Sequence, residues 1–215
     1  MRIPTAAILL FALGVTGCGN SGRNSVARPG DNTSAIQRLP VKVGSPPLDG
    51  LLTLPARRGR STAVVLVSGS GPQDKDETGG PNKPFRDLAE GLAERGIASL
   101  RYDKRTKAYP PAANPADFTP TQEYVPDALA AINLLRSRPE VDPKGIYVLG
   151  HSQGGTYAPK IAQDHPAIAG VILLAAASQP FGATILRQLT YLASLPGAQG
   201  AQPRAALPKR RRSQT

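Results

Sequence analysis

The sequence predicts an α/β fold, a mostly parallel sheet with helices on both faces, and three observations predict it. Ala63-Val64-Val65-Leu66-Val67 and the stretch from Ala169 to Ala177 are apolar at nearly every position. A strand reads that way when both of its faces are covered, as at the centre of a parallel sheet. Amphipathic stretches of helical period alternate with these runs. Finally, Ile146-Tyr147-Val148-Leu149 breaks into Gly150-His151-Ser152-Gln153-Gly154-Gly155. A strand feeding Gly-x-Ser-x-Gly predicts a sharp strand-to-helix elbow that lifts the serine hydroxyl above the sheet edge, so Ser152 is a candidate nucleophile.

The chain of 215 residues has room for one domain of ordinary size. Its net charge of +11 suggests an anionic partner by composition alone. The excess is concentrated, however: Arg204, Lys209, Arg210, Arg211 and Arg212 follow Pro196 with no acid among them. These form a solvated basic tail without interleaved aromatics, and no zinc-finger or helix-turn-helix spacing occurs elsewhere, so no nucleic-acid partner is expected.

At the start, Met1-Arg2 and the apolar run Ile3 to Val15 have the form of a secretory leader, too short for a permanent span. It ends in Val15-Thr16-Gly17-Cys18, which resembles a bacterial lipobox, and Cys18 is the single cysteine. Residues 1–18 are therefore expected to be a lipoprotein signal peptide with Cys18 the lipidated residue. A membrane partner through that anchor follows, with export to the periplasm and, since Gly19 is not an aspartate, the outer membrane. An ordinary signal peptide with an incidental cysteine is the alternative. Residues 19–35, rich in Asn, Ser, Gly and Arg, form an expected flexible tether.

The domain is expected over residues 36–195. Ile36–Val43 and Leu48–Leu54, joined through Gly44-Ser45-Pro46-Pro47, predict an opening hairpin. After the strand at 63–67, the small residues of Ser68-Gly69-Ser70-Gly71-Pro72 let main-chain N–H groups point into a site, as an oxyanion hole requires. The loop lacks both a P-loop ending and the third glycine of a dinucleotide fingerprint. Pro84 to Gly96 predicts a helix with apolar residues at 85, 88, 89, 92 and 93, and Ile97 to Tyr102 a strand. Lys107 to Pro120 has no period and predicts a surface excursion near the site mouth. Val125, Ala128, Leu129, Ile132 and Leu135 mark a second helix before Pro139. The helix after the elbow contains Pro159, which should kink it. A strand at 169–177 and a helical face at Ile185, Leu186, Leu189, Leu192 and Ala193 complete the pattern, and residues 196–215 form the basic tail, expected to be disordered.

Several segments together carry a family resemblance: Ser68 to Thr78, Gly80-Pro81-Asn82-Lys83-Pro84-Phe85, Leu100-Arg101-Tyr102-Asp103-Lys104-Arg105 and Gly150 to Gly155. From about Leu51 to Leu195 the chain resembles the bacterial esterase D-type carboxylesterases of the α/β-hydrolase superfamily. It departs from them at Ser68, where that family usually has a histidine whose job is to brace the loop. The resemblance implies an α/β-hydrolase fold, a small-molecule ester substrate and no cofactor. It also implies that Ser152 attacks the ester carbonyl while the amides of Gln153 and Ser70, with Gly71 as second choice, hold the oxyanion. Asp103, Lys104 and Arg105 are expected near the acyl pocket. Asp74, Asp76 and Glu77, without His or Cys neighbours and interrupted by Lys75, are expected to be solvated or to brace the loop rather than hold a metal.

A triad needs an aspartate and a histidine after the serine. The sequence holds two histidines, His151 and His165, and its last acid is Asp164. His151 is expected to face away from Ser152 as a turn residue. His165 falls roughly 18–20 Å along the elbow helix at 1.5 Å rise per residue, too far to take the serine proton. The sequence therefore leads to the expectation of a truncated or frame-shifted product, interrupted after the strand that follows the elbow helix and impaired in turnover. A non-catalytic lipoprotein remnant, or a module that binds a carboxylate at the oxyanion loop, is the alternative. The strand at 171–177 would then be an uncovered, aggregation-prone edge.

Overall fold

The computed structural model describes residues 35–57, 59–110 and 119–196. The expected signal peptide with Cys18, nearly all of the tether and all but the first residue of the basic tail lie outside the described residues. Among the described residues, six strands form one mixed sheet in the order β1-β2-β4-β3-β5-β6. β1 (Gln37–Val43) and β2 (Leu48–Leu54) make the antiparallel opening hairpin, and β2 pairs antiparallel with β4 (Ala98–Tyr102). β3 (Ser61–Val67) lies parallel between β4 and β5 (Val141–His151), and β6 (Gly170–Leu174) adds parallel to β5 at the edge. No helix among the described residues is long and apolar enough to cross a membrane.

The unbroken apolar run of β3 has a direct structural cause. Side chains alternate across a strand, so Val65 and Val67 enter one core while Val64 and Leu66 enter another on the opposite face. The first core holds Ala128, Ile132 and Leu135 of α3 (Pro120–Arg136) and Ala158 and Ile161 of α4 (Gln153–Asp164). The second holds Phe85 and Ala89 of α1 (Pro84–Glu94). Both faces of β3 are dry, as a central parallel strand requires.

Several boundaries differ from those expected. α3 starts at Pro120, because Thr119 forms a capping box with Gln122 and Pro120 supplies a first position that needs no N–H. The helix then runs through Pro126. The excursion after β4 is partly helical: α2 (Arg105–Ala108) is a single turn, and residues 111–118 lie outside the described residues. α4 continues through Pro159 to Asp164 as one helix. β6 stops at Leu174, because Ala175 turns into the left-handed region with φ 50°. Beyond it, α5 (Phe181–Ser194) is longer than its apolar face alone suggested.

Among the described residues, β6 lies at the edge of the sheet with its apolar side chains partly exposed. Val171, Ile172, Leu173 and Leu174 are 37–53% exposed, and Leu186, Tyr191 and Leu192 of α5 are also exposed.

Candidate active site

β5 delivers the chain to Ser152, which caps α4 with φ 50° and ψ −116°. A non-glycine residue in the left-handed half of the map is strained, and it persists only where its surroundings dictate it. The surroundings here are very close. A Cβ at Gly150 would strike the Gly154 carbonyl, and one at Gly154 would sit 2.5 Å from the carbonyl oxygens of Val67 and Ser68. Glycine is required at both positions because backbone passes where a side chain would stand. The Ser152 N–H donates to Leu174 O at 2.8 Å, which fastens the elbow to β6. Among the described residues, the non-glycine residues with positive φ are Glu77, Ser152 and Ala175.

Ser152 faces a cavity of about 160 Å³ lined also by Ser70, Gln153, Thr156, Ala175 and Arg187. Gln153 is the first residue of α4, where an N–H has no intrahelical acceptor. Gly69 lies against the elbow: a Cβ there would be 3.3 Å from Ser152 Cβ. Ser70 and Gln153, proposed from sequence as oxyanion donors, are thus brought to one cavity with Ser152. Gly71 does not line it; it takes φ 84° and its carbonyl accepts from Gln73 N at 3.0 Å, bending the chain away.

The loop carrying Ser70 is held by buried polar groups. Glu77 Oε1 accepts from Gly69 N at 2.6 Å and lies 2.8 Å from His151 Nδ1. Lys104 Nζ donates to Gly69 O at 2.9 Å and to Tyr124 Oη at 2.6 Å, and pairs with Glu123 at 3.2 Å. The Tyr124 hydroxyl lies 2.8 Å from Gly69 O and 3.2 Å from Gln153 Oε1. Burial holds the Lys104 ammonium below the usual lysine range, opposed by the Glu123 carboxylate. Burial likewise pushes the Tyr124 phenol well up, so it stays protonated and remains a donor.

The three acids of the loop brace it and are pointed apart. Asp74 caps the N–H groups of Asp76 and Thr78, Asp76 pairs with buried Arg101 at 2.9 Å and with Lys83, and Glu77 holds Gly69. The expectation that Asp103, Lys104 and Arg105 lie at the acyl pocket is corrected, since none of them lines the cavity. Asp103 accepts from Lys75 N, Lys104 lies beneath the loop, and Arg105 forks onto buried Asp127. Burial raises the Asp127 carboxyl despite the opposing Arg105 charge.

His151 is more than an idle turn residue, because its ring joins Glu77 and meets Phe85 edge-on at 6.4 Å. His165 caps the far end of α4 with Nε2 3.3 Å from Asn133 Oδ1. Neither histidine makes a hydrogen bond to Ser152 among the described residues.

Residues 82–205 match the family described as serine aminopeptidase, S33. The chain belongs to that family. It is 45% identical over 148 residues to esterase EstD of Thermotoga maritima, an alignment spanning 69% of this chain and 35% of the esterase. The fold is that of the α/β hydrolases. Brefeldin A esterase, a bacterial homologue of human hormone sensitive lipase, superposes with a TM-score of 0.52 at 21% identity, covering 79% of this chain and 50% of the esterase. DcsB, in complex with its substrate analogue, superposes at 0.56 and 18% identity, covering 73% and 52% of the two chains. Both likenesses carry the fold alone. This chain thus spans about a third of the length of EstD.

Proposed function

We propose that the chain is a carboxylic ester hydrolase that works through Ser152. The observation that carries this is the strained elbow serine sharing a cavity with Ser70 and Gln153. Ser152 Oγ attacks the ester carbonyl, and the tetrahedral oxyanion accepts from the N–H groups of Gln153 and Ser70. The alcohol leaves, and water releases the acyl group from the serine. Gly71 drops out as the second-choice donor because it does not line the cavity.

In this reading Ser152 is the nucleophile and Gln153 and Ser70 are the donors, while both histidines of the sequence are engaged elsewhere. Turnover by the chain alone is then held to the level left when a triad loses its base, about 10³–10⁴-fold over water. The same cavity, polar and without a histidine among its described lining residues, also favours a second reading: a non-catalytic module that holds a carboxylate. Hydrolysis of p-nitrophenyl acetate beside Ser152→Ala separates the two. Slow wild-type turnover that falls to the buffer rate in the variant supports the hydrolase; matched rates support the binding module.

The leader pattern supports export and a lipid on Cys18 at the outer membrane. Metabolic labelling with radioactive palmitate tests this: label on the wild type and none on Cys18→Ser is the expected result.

A further inference from the structure

We propose that Lys104 and Tyr124 are positioning residues that aim and polarise the Ser70 N–H by holding the opposite end of its own peptide group. This rests on the reading of Ser152 as nucleophile and Ser70 as oxyanion donor.

The carbonyl of Gly69 and the N–H of Ser70 belong to one peptide plane. In a trans peptide these two groups point in opposite directions, so whatever fixes the oxygen also fixes the direction of the hydrogen. Gly69 O has two buried partners, Lys104 Nζ at 2.9 Å and Tyr124 Oη at 2.8 Å. The preceding peptide is held as well, because Gly69 N donates to Glu77 Oε1 at 2.6 Å. The residue before the donor is thus gripped at both its N–H and its C=O.

Chemistry adds to geometry. A charged donor on a carbonyl draws electron density through the amide and makes its N–H a better donor, the cooperative strengthening expected of hydrogen-bond chains in a low dielectric. The Lys104 side chain is 4% exposed, so water does little to screen it. The Tyr124 hydroxyl, whose one proton goes to the nearer Gly69 O, also lies 3.2 Å from Gln153 Oε1 and so sits between the loop and the elbow carrying the other donor. One phenol therefore touches both halves of the oxyanion site, and its ring stacks on Tyr157 of α4 with centroids 5.1 Å apart. A helix on one face of the sheet, a loop after its central strand and the elbow meet at this hydroxyl.

The test uses phenylboronic acid, which mimics the tetrahedral intermediate. On binding, the bond from Ser152 Oγ to boron forms, boron passes from trigonal to tetrahedral, and the serine proton goes to buffer. Affinity is measured for the full chain by calorimetry, with the tetrahedral state read from the boron NMR shift. The trigonal amide phenylacetamide serves as ground-state ligand. Tyr124→Phe keeps the ring stack and removes the hydroxyl. Because Lys104→Met alone strands Glu123 and can cost the fold, the charge is removed as the pair Lys104→Met with Glu123→Gln.

Each variant is expected to bind the boronic acid about tenfold more weakly, with phenylacetamide affinity unchanged. Boronic acid affinity equal to wild type in both variants overturns the inference. So does an equal loss for both ligands, which is the mark of a merely structural role. A wild-type chain that forms no tetrahedral adduct, or a Ser152→Ala chain that still forms one, overturns the nucleophile reading itself and takes the inference with it.

Discussion

The two sides of the Ser152 cavity are built differently. On the β3 side, the Ser68–Gly71 loop is fastened by Glu77, Lys104 and Tyr124, all buried, and Asp76 of the same loop is tied to a buried arginine of β4. On the β6 side, the cavity wall is Ala175 and residues of α5, flanked by a strand whose apolar side chains stand in solvent. The bracing groups of the donor side are buried, and they satisfy one another. The other side has backbone order and little burial. Preorganisation matters most where charge develops, because fixed donors need not reorient during the reaction. The buried polar bracing is concentrated on the side that carries Ser70.

The comparison is broken most severely by attacking the elbow. Gly154→Ala puts a methyl 2.5 Å from two carbonyl oxygens of the Val67–Ser68 turn, and the backbones cannot part without opening the sheet. A loss of about 3 kcal/mol or more is expected, read as the fall in urea midpoint. A wild-type midpoint would mean that the elbow and the loop are not in register.

Next comes the ion pair behind the donor side. Asp127→Ala leaves the Arg105 guanidinium beside an apolar hole and should cost about 3 kcal/mol, whereas Asp127→Asn, which keeps the shape, should cost less. Thermal melts of the two variants check the order.

The β6 side should respond in the opposite sense. Leu173→Lys, at a side chain 53% exposed, should shift stability by no more than about 0.5 kcal/mol while reducing self-association in sedimentation velocity. Unchanged association would show that this face is not the sticky one.

The smallest effect concerns pH. Burial lowers the Lys104 pKa from 10.5, so between that lowered value and 10.5 the unfolded chain binds more protons than the native one. Lys104 therefore makes stability rise with pH through that window. In Lys104→Met with Glu123→Gln the rise should be absent, and difference melts between pH 8 and 10.5 would check it.

The frame of the molecule was legible because it depends on local pattern. Residues 63–67 announce a strand covered on both faces, and Gly150, Ser152 and Gly154 announce the elbow. The start of α3 is legible in principle from Thr119, Pro120 and Gln122, but a proline after an aperiodic stretch reads equally as the close of a loop, and here it opens a helix. The brace around Gly69 was not legible. Lys104 and Tyr124 lie 35 and 55 residues from the carbonyl they hold, so no spacing rule connects them. A signal did exist: Lys104 follows a fully buried strand, and Tyr124 sits beside Val125 on the buried stripe of α3. A polar group in such a setting demands a partner. The role expected of the absent histidine at Ser68, bracing the loop, falls to Glu77, Lys104 and Tyr124.

The hydrogen bond from the Ser152 amide to Leu174 O gives the edge strand among the described residues a mechanical reach into the elbow. Leu174 is the last residue of β6, and the chain reverses hard at Ala175 directly after it. A tug along β6 arrives at the serine amide through that bond and through the ladder by which β6 pairs with β5 up to His151. The margin of the sheet is thereby coupled to the strained backbone on which Ser152 leaves β5.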